Sequence, residues 1–189
     1  MPNLYIISGC NGAGKTTASF TILPEILDCH EFVNADEIAK GLSPFNPESV
    51  AIESGRIMLK RIKELISRQV DFAFETTLAT KSYTKLIEDA KEAGYTVHLL
   101  YFWLENVELA IERVAMRVRN GGHSIPIEVI RRRYKSGLIN LTDRYIGICD
   151  YCSIFDNSDI LPKLVVRKEG GNLTIVDALK YNKITNGKI

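Results

Sequence analysis

The hydrophobic residues of this chain fall into five short runs separated by longer segments with a different spacing. Each run has four to eight residues and is bounded by polar residues, which is typical of a buried strand. Between the runs, apolar residues recur every three or four positions, which is typical of helices. Strands that alternate with helices predict an α/β fold with a parallel sheet between two helical layers. The predicted strands are Leu4–Ser8, Glu31–Asn34, Phe72–Glu75, Val97–Leu104 and Ser153–Asp156.

Five helices and a hairpin complete the predicted elements. A glycine pair at 170 and 171 between two apolar runs predicts a β-hairpin over about residues 163–177. The end of the chain, Asn182–Ile189, is predicted to be frayed, and Gly137 is expected to weaken the last turn of its helix. The predicted helices are Thr16–Leu27, Pro47–Arg68, Ser82–Ala93, Val107–Arg119 and Ser124–Asn140.

Composition narrows the class of protein. The 189 residues predict one domain with a full core, and a net charge of +1 gives no support for nucleic acid as a partner. No apolar run reaches the roughly 20 residues of a membrane span, and the strand at the start leaves no room for a signal peptide. The four cysteines, including the pair Cys149 and Cys152, are interpreted as packing residues, and we expect a cytoplasmic protein.

The strongest chemical signal is the segment Gly9–Thr16, which matches the phosphate-binding pattern G-x-x-x-x-G-K-[ST]. It lies between a predicted strand and a predicted helix, as this loop requires. Its backbone N–H groups would surround a polyphosphate, Lys15 would reach the β- and γ-phosphates, and the Thr16 hydroxyl would hold Mg²⁺. We therefore predict that this loop binds a nucleotide together with Mg²⁺. The predicted nucleotide-binding residues are Gly9, Asn11, Gly12, Ala13, Gly14, Lys15, Thr16 and Thr17.

Carboxylates follow the second and third predicted strands, at the sheet edge where ligands of such folds bind. Asp36 is interpreted either as the cap of the next helix or as a base that takes a proton from an attacking hydroxyl. Glu75 and Thr77 would bind a substrate hydroxyl or a metal-bound water, although Glu75 could also cap the next turn. Asn157 and Ser158, after the fifth strand, are candidates for contacts with the nucleotide base.

Arginines lie on both sides of the pair Gly121-Gly122. Arg113 and Arg117 share a helix face, and the group 131–133 follows. A mobile segment that carries positive charge can close over a nucleotide during phosphoryl transfer, so we predict an arginine-bearing lid at about residues 113–140. The alternative is a solvated basic helix face. The complete prediction is a P-loop NTPase three-layer fold with a mostly parallel five-stranded sheet, this lid and the C-terminal β-hairpin.

Several segments together resemble the zeta-toxin-like P-loop kinases, over about residues 3–158. They are Gly9–Thr16, 34–37, 41–44, 75–77 and 121–126. The resemblance implies a kinase that uses ATP and Mg²⁺ to phosphorylate a hydroxyl of UDP-N-acetylglucosamine. It implies that Asp36 is the general base and that Glu75 and Thr77 face the sugar nucleotide. It also implies that the phosphates are bound by Lys15, Arg117 and one arginine of 131–133, of which Arg133 is preferred. It also implies a small helical antitoxin as a protein partner.

One position departs from that family. Zeta toxins typically read Glu-Gly-Thr-Leu-Arg after the third strand, whereas this chain reads Glu75-Thr76-Thr77-Leu78-Ala79, with Lys81 as the nearest cation. A substrate-binding arginine is therefore missing or replaced. Three functions remain open at this point: a zeta-type sugar nucleotide kinase, a kinase for another hydroxyl such as that of an antibiotic or nucleoside, and an ATPase switch that acts on a partner protein.

Overall fold

The computed structural model describes residues 1–186, and it places all the strands in one sheet. The spatial order is β2-β3-β1-β4-β5-β6-β7; β1 to β5 are parallel, and β6 and β7 run antiparallel to their neighbours. The strands are β1 Asn3–Gly9, β2 Phe32–Val33, β3 Phe72–Thr76, β4 Thr96–Trp103, β5 Tyr151–Asp156, β6 Lys163–Glu169 and β7 Asn172–Ile175.

Helices cover both faces of this sheet and make the α/β three-layer class predicted from the sequence. A 3₁₀ turn, Pro47–Val50, precedes the third helix, and π turns, Ile22–Ile26 and Leu141–Tyr145, follow the first and sixth. The α-helices are α1 Lys15–Thr21, α2 Ala35–Leu42, α3 Ala51–Arg68, α4 Tyr83–Glu92, α5 Val107–Arg119, α6 Ile127–Asn140, α7 Ile146–Ile148 and α8 Ala178–Asn186.

The central strands send alternate side chains into two separate hydrophobic clusters. Leu4 and Ile6 of β1 belong to the larger cluster, beneath α3 and α4, whereas Tyr5 and Ile7 belong to the cluster beneath α1 and α5. Burial on both faces of the sheet explains why the sequence of β1 is a continuous apolar run and does not alternate with polar residues. It also fixes the register of β1, and with it the position of the loop that begins at Gly9.

The predicted sheet was too small by two strands. The hairpin over residues 163–177 is present, but it is part of the sheet: β6 pairs antiparallel with β5, so the sheet has seven strands rather than five. The predicted frayed end is also wrong for residues 182–186. There, α8 buries Ile184 completely. The rest of that predicted segment, 187–189, lies outside the described residues.

Two helix predictions also need correction. The helix predicted as Thr16–Leu27 becomes a π turn at Ile22, because Pro24 has no N–H to donate to a regular ladder. The helix predicted to begin at Ser124 begins at Ile127 and continues beyond Asn140 into a π turn. Gly137 therefore does not mark its end. Among residues 1–186, no helix combines the length and apolar character that crossing a membrane would require.

Gly137 has a packing role instead. A Cβ atom there would lie 2.8 Å from the carbonyl oxygen of Thr77, in the loop that follows β3. We expect Gly137→Ala to lower the free energy of unfolding by about 1–2 kcal/mol, because the overpacking cost outweighs the gain in helix propensity. Gly55→Ala is the matched control, since a Cβ on this α3 glycine meets nothing within 4 Å. It should stabilise the protein by roughly 0.5–1 kcal/mol. Urea unfolding of both variants measures the difference, and equal effects would contradict this role.

Candidate active site

The phosphate-binding loop connects β1 to α1 and has the backbone shape that its sequence predicts. Gly12 and Gly14 have φ values of 79° and 80°, a region that favours glycine. The loop also has no room for side chains: a Cβ on Gly12 would lie 2.8 Å from the carbonyl oxygen of Ala110 in α5. Asn157 supports the loop from the other side, where its Nδ2 donates to the carbonyl oxygen of Ala13 at 2.8 Å.

Glu75 brings the loop and the end of β3 together. Its Oε2 accepts hydrogen bonds from the Thr16 hydroxyl at 2.8 Å and from Nδ2 of Asn34 at 2.9 Å. Its Oε1 lies 3.5 Å from the Lys15 ammonium, which also donates to the carbonyl oxygen of Cys10 at 3.0 Å. Both charged side chains are more than nine-tenths buried, so each needs the other as a partner. The site is therefore an assembled polar network in a largely dry setting.

Asn34 is a residue of this network that was not predicted from the sequence. Its Oδ1 accepts hydrogen bonds from the backbone N–H groups of Asp36, at 2.8 Å, and Glu37, which makes Asn34 the N-cap of α2. Its Nδ2 meanwhile holds Glu75. The interpretation of Asp36 as the helix cap is therefore wrong. Asparagine is favoured at helix N-caps, so Asn34 at the end of the second predicted strand was a signal that could have identified the cap.

Asp36 lies in the first turn of α2 and borders two cavities. The first, of about 170 Å³, is lined by the phosphate loop and the end of β3, including Lys15, Glu75 and Thr77. The second, of about 320 Å³, lies between α2 and the segment that leads into α6, including His123 and Pro126. Among the described residues, the Asp36 carboxylate has no ion pair, and it is exposed. It is therefore free to meet a ligand at the junction of the cavities.

The arginines separate into different roles. Arg133 lines both of these cavities, and its Nη1 donates to Oδ1 of Asn11 in the phosphate loop at 3.3 Å. Arg117 does not line either cavity; its Nη2 donates to the carbonyl oxygen of His123 at 3.3 Å, and its buried Nε has no hydrogen-bond partner among the described residues. Arg113 binds the carbonyl oxygens of Asn157 and Ser158 at 2.8 and 2.9 Å. The structure thus brings Arg133, but not Arg117, beside the loop.

The predicted glycine hinge forms the end of α5. Gly121 has a φ of 87°, and the N–H of Gly122 donates to the carbonyl oxygen of Arg117 at 2.9 Å, as in a helix C-cap. His123 follows directly. Burial and the Arg117 guanidinium lower the pKa of its imidazole, so His123 is neutral at pH 7. Because the ring is neutral, the positive charge at the end of α5 comes from its arginines and not from His123.

The structure also places the other residues that were singled out from the sequence. Thr77 lines the first cavity, whereas Thr17 lies on the exposed side of α1 and lines none of the cavities described here. The Asn157 side chain faces the phosphate loop, so its Nδ2 donates to the loop rather than to the base of a nucleotide. All four cysteines are buried free thiols, consistent with packing roles.

The sequence of this chain is similar to those of known proteins. The sequence model of the family described as "Zeta toxin" matches residues 1–160. A protein of Haemophilus influenzae described as uncharacterised is 34% identical over 128 residues, which are 67% of this chain and 88% of that protein.

Solved structures agree on the fold. A chain in the crystal structure of the AvrRxo1-ORF1:ORF2 complex with ATP superposes with a TM-score of 0.82 at 21% identity over 98% of this chain. This chain spans 64% of its length. A chain from the PezAT toxin-antitoxin system of Streptococcus pneumoniae superposes with a TM-score of 0.69 at 17% identity, over 100% of this chain and 80% of that one.

Proposed function

This chain belongs to the zeta toxin family, and we propose that it is an ATP-dependent kinase that phosphorylates a hydroxyl group of a small molecule. The observation that carries the proposal is the position of Asp36. This unpaired carboxylate borders both the cavity with the phosphate loop and the cavity between α2 and α6. A kinase needs a base at the point where an acceptor hydroxyl meets the γ-phosphate. An ATPase switch needs no such acceptor cavity.

The nucleotide would occupy the phosphate loop. The glycine backbone leaves space for phosphate oxygens, and Lys15 and Arg133 supply positive charge on two sides. ATP as the nucleotide is supported by family membership, and the AvrRxo1 complex with the same fold was crystallised with ATP.

Mg²⁺ fits the oxygen atoms that lie beside the loop. The Thr16 hydroxyl and a Glu75 carboxylate oxygen are 2.8 Å apart at the end of β3. Mg²⁺ prefers such hard ligands and is usually held by one or two protein groups together with substrate phosphates. Thr16 would ligate the ion, and Glu75 would hold a metal-bound water. Bound there, Mg²⁺ would neutralise charge on the β- and γ-phosphates.

The chemical step follows from these positions. Asp36 would accept the proton of the acceptor hydroxyl while the oxygen of that hydroxyl forms a bond to the γ-phosphorus of ATP. The bond from that phosphorus to the β–γ bridging oxygen breaks, and ADP leaves with the electron pair. Lys15 and Arg133 would stabilise the negative charge that develops on the phosphoryl and bridging oxygens. Arg117 would join them if the lid segment, residues 113–140, moves towards the loop, since its buried Nε–H is an available donor.

For the acceptor, we propose UDP-N-acetylglucosamine, as the family resemblance implies, with Thr77 and Glu75 beside the sugar. Thr77 lines the first cavity, and its carbonyl oxygen lies close to Gly137 of α6. Kinases for other hydroxyl acceptors would use the same residues. An antitoxin is also proposed as a partner, on the ground that PezAT, with the same fold, is a toxin-antitoxin system.

The test is consumption of ATP by the purified protein with and without UDP-N-acetylglucosamine, followed by mass spectrometry of the products. We expect the sugar nucleotide to gain the mass of one phosphoryl group, and ATP consumption to depend on its presence. ATP turnover that is independent of every acceptor in a panel of sugar nucleotides, nucleosides and aminoglycosides would contradict the kinase proposal and favour the switch.

A further inference from the structure

Strand β7 lies at one edge of the sheet, and one of its sides is unpaired. Among residues 1–186, β7 is the last strand in the spatial order and pairs with β6 alone. The N–H of Val176, directly after β7, donates to the carbonyl oxygen of Val165 at 2.9 Å. Because the main-chain groups of an antiparallel strand alternate between its two sides, residues 172, 174 and 176 face β6. The N–H and C=O groups of Leu173 and Ile175 therefore face the free edge.

The same two residues carry exposed apolar side chains. Leu173 is 42% exposed and Ile175 is 45% exposed. Both lie on the face of the sheet where Val166, the neighbour of Ile175 in β6, is completely buried. The segment 170–176 contains no charged residue and no proline, and the register of β7 with β6 is continuous. Apart from its short length, β7 thus lacks the features that usually prevent an edge strand from pairing with another chain.

We propose that β7 pairs antiparallel with β7 of a second copy of this chain, about a twofold axis at Thr174. In this register, Leu173 lies opposite Ile175 of the second copy, and the two residues exchange both of their outward hydrogen bonds. Their side chains meet on one face of the joined sheet, because directly opposite residues share a face. The buried row that contains Val166 then continues through Ile175 to Leu173 of the second copy.

A second copy is the occupant that this edge fits, because the edge is complementary to itself in one register. A shift by one residue would oppose main-chain groups that already bond to β6. A shift by two residues would place Ile175 opposite Gly171, or Leu173 opposite Asp177. The proposed register avoids both mismatches and opposes no like charges. Because β7 has only four residues, we expect a weak, reversible dimer with a Kd on the order of 10–100 µM.

The test is sedimentation equilibrium of the full chain from roughly 1 µM to 1 mM, a range that brackets the expected Kd. We expect the wild type to change reversibly from monomer to dimer. Ile175→Pro removes an outward N–H and keeps the hydrogen bonds to β6, so it should raise the Kd by at least about tenfold. The control is Ile52→Lys. Ile52 is 77% exposed on α3, which contacts β2 at the opposite edge of the sheet, so this variant should dimerise as the wild type does.

Two further variants test the register and remain informative if Ile175→Pro does not fold. Leu173→Lys and Ile175→Glu each place a charge opposite an apolar residue in both pairs of the dimer, so each alone should raise the Kd by about tenfold. In an equimolar mixture, the introduced ammonium lies opposite the introduced carboxylate, and the other pair keeps the native Leu173 and Ile175. The mixture should therefore associate at least about fivefold more tightly than either variant alone.

Each contrary result overturns the proposal. A wild type that stays monomeric over the whole range would leave this edge to a strand of another protein. A dimer that is unaffected by the β7 variants would be formed by a different surface. A mixture that associates no more tightly than its components would exclude the twofold register. None of these measurements uses kinase activity, so their outcome is independent of the proposed function.

Discussion

Lys15→Ala is expected to abolish ATP binding at the phosphate loop and to lower kcat/KM for ATP by about 10³-fold or more, since it removes the charge on the β- and γ-phosphates. The side chain lies between the carbonyl oxygen of Cys10 and Glu75, which are its hydrogen-bond and ion-pair partners. An ATP analogue would compete with these partners for the same ammonium. Isothermal titration with the analogue and a steady-state assay of ATP consumption measure the two effects.

Lys15→Ala is expected to destabilise the protein, because it leaves the buried Glu75 carboxylate without its ionic partner. Removing the lysine leaves Glu75 buried, but its Oε2 keeps hydrogen bonds from Thr16 and Asn34. The double variant Lys15→Ala with Glu75→Gln removes the remaining charge and provides a second folded form should the single variant be unstable. Lys85→Ala, which removes a lysine from an exposed ion pair with Asp89, is the control and should retain wild-type activity. Full ATP turnover by a folded Lys15→Ala protein would refute the role of the loop.

The part of the site that was predicted from sequence is the part that depends on local geometry. The glycine spacing of residues 9–16 specifies a loop shape almost independently of the rest of the chain. The ends of β2 and β3 were predicted from apolar runs, and neighbouring parallel strands end at the same sheet edge. Asp36, Glu75 and Thr77 therefore meet at one cavity, as expected from their positions.

Features that depend on distant contacts were not predicted. The strand β6 has the same sequence pattern whether its hairpin stands apart or extends the sheet, because its pairing with β5 is a tertiary contact. Gly137 lowers helix propensity wherever it occurs, and only the nearby carbonyl of Thr77 shows that it permits a close approach. By contrast, α8 had a readable signal: Tyr181 and Ile184 are three residues apart and both pack on the larger hydrophobic cluster.

The three consecutive arginines of α6 show the same limit of prediction from sequence. Arg131, Arg132 and Arg133 are consecutive, so each points about 100° from the next around the axis of α6. Which of them faces the loop depends on how α6 packs, and burial of Ile130 beside α5 determines that orientation. Arg131 therefore pairs with Glu108, Arg132 borders a cavity between α6 and the loop after β3, and Arg133 reaches Asn11. Sequence could identify the group, but only the structure separates its members.

Asp36→Asn is expected to reduce phosphoryl transfer by about 10²–10⁴-fold while leaving ATP affinity within a few-fold of the wild type, because it removes a base and not a phosphate contact. The substitution preserves the size of the side chain. It should also leave α2 intact, since Asn34 caps this helix and Asp36 contributes its backbone N–H, which asparagine keeps. Binding of the ATP analogue and single-turnover transfer to the acceptor identified by mass spectrometry separate the two effects.

The control for Asp36→Asn is Glu37→Gln. Glu37 is the next residue in the first turn of α2, it is exposed, and it pairs with Lys40 at 2.6 Å. Its substitution removes the same negative charge from the same helix turn, so it reproduces any effect of the helix dipole or of the long-range field. A large loss of transfer in Asp36→Asn with none in Glu37→Gln would assign the proton to the carboxylate that borders both cavities. Equal transfer by Asp36→Asn and the wild type would remove Asp36 from the mechanism, and with it the observation on which the kinase proposal depends.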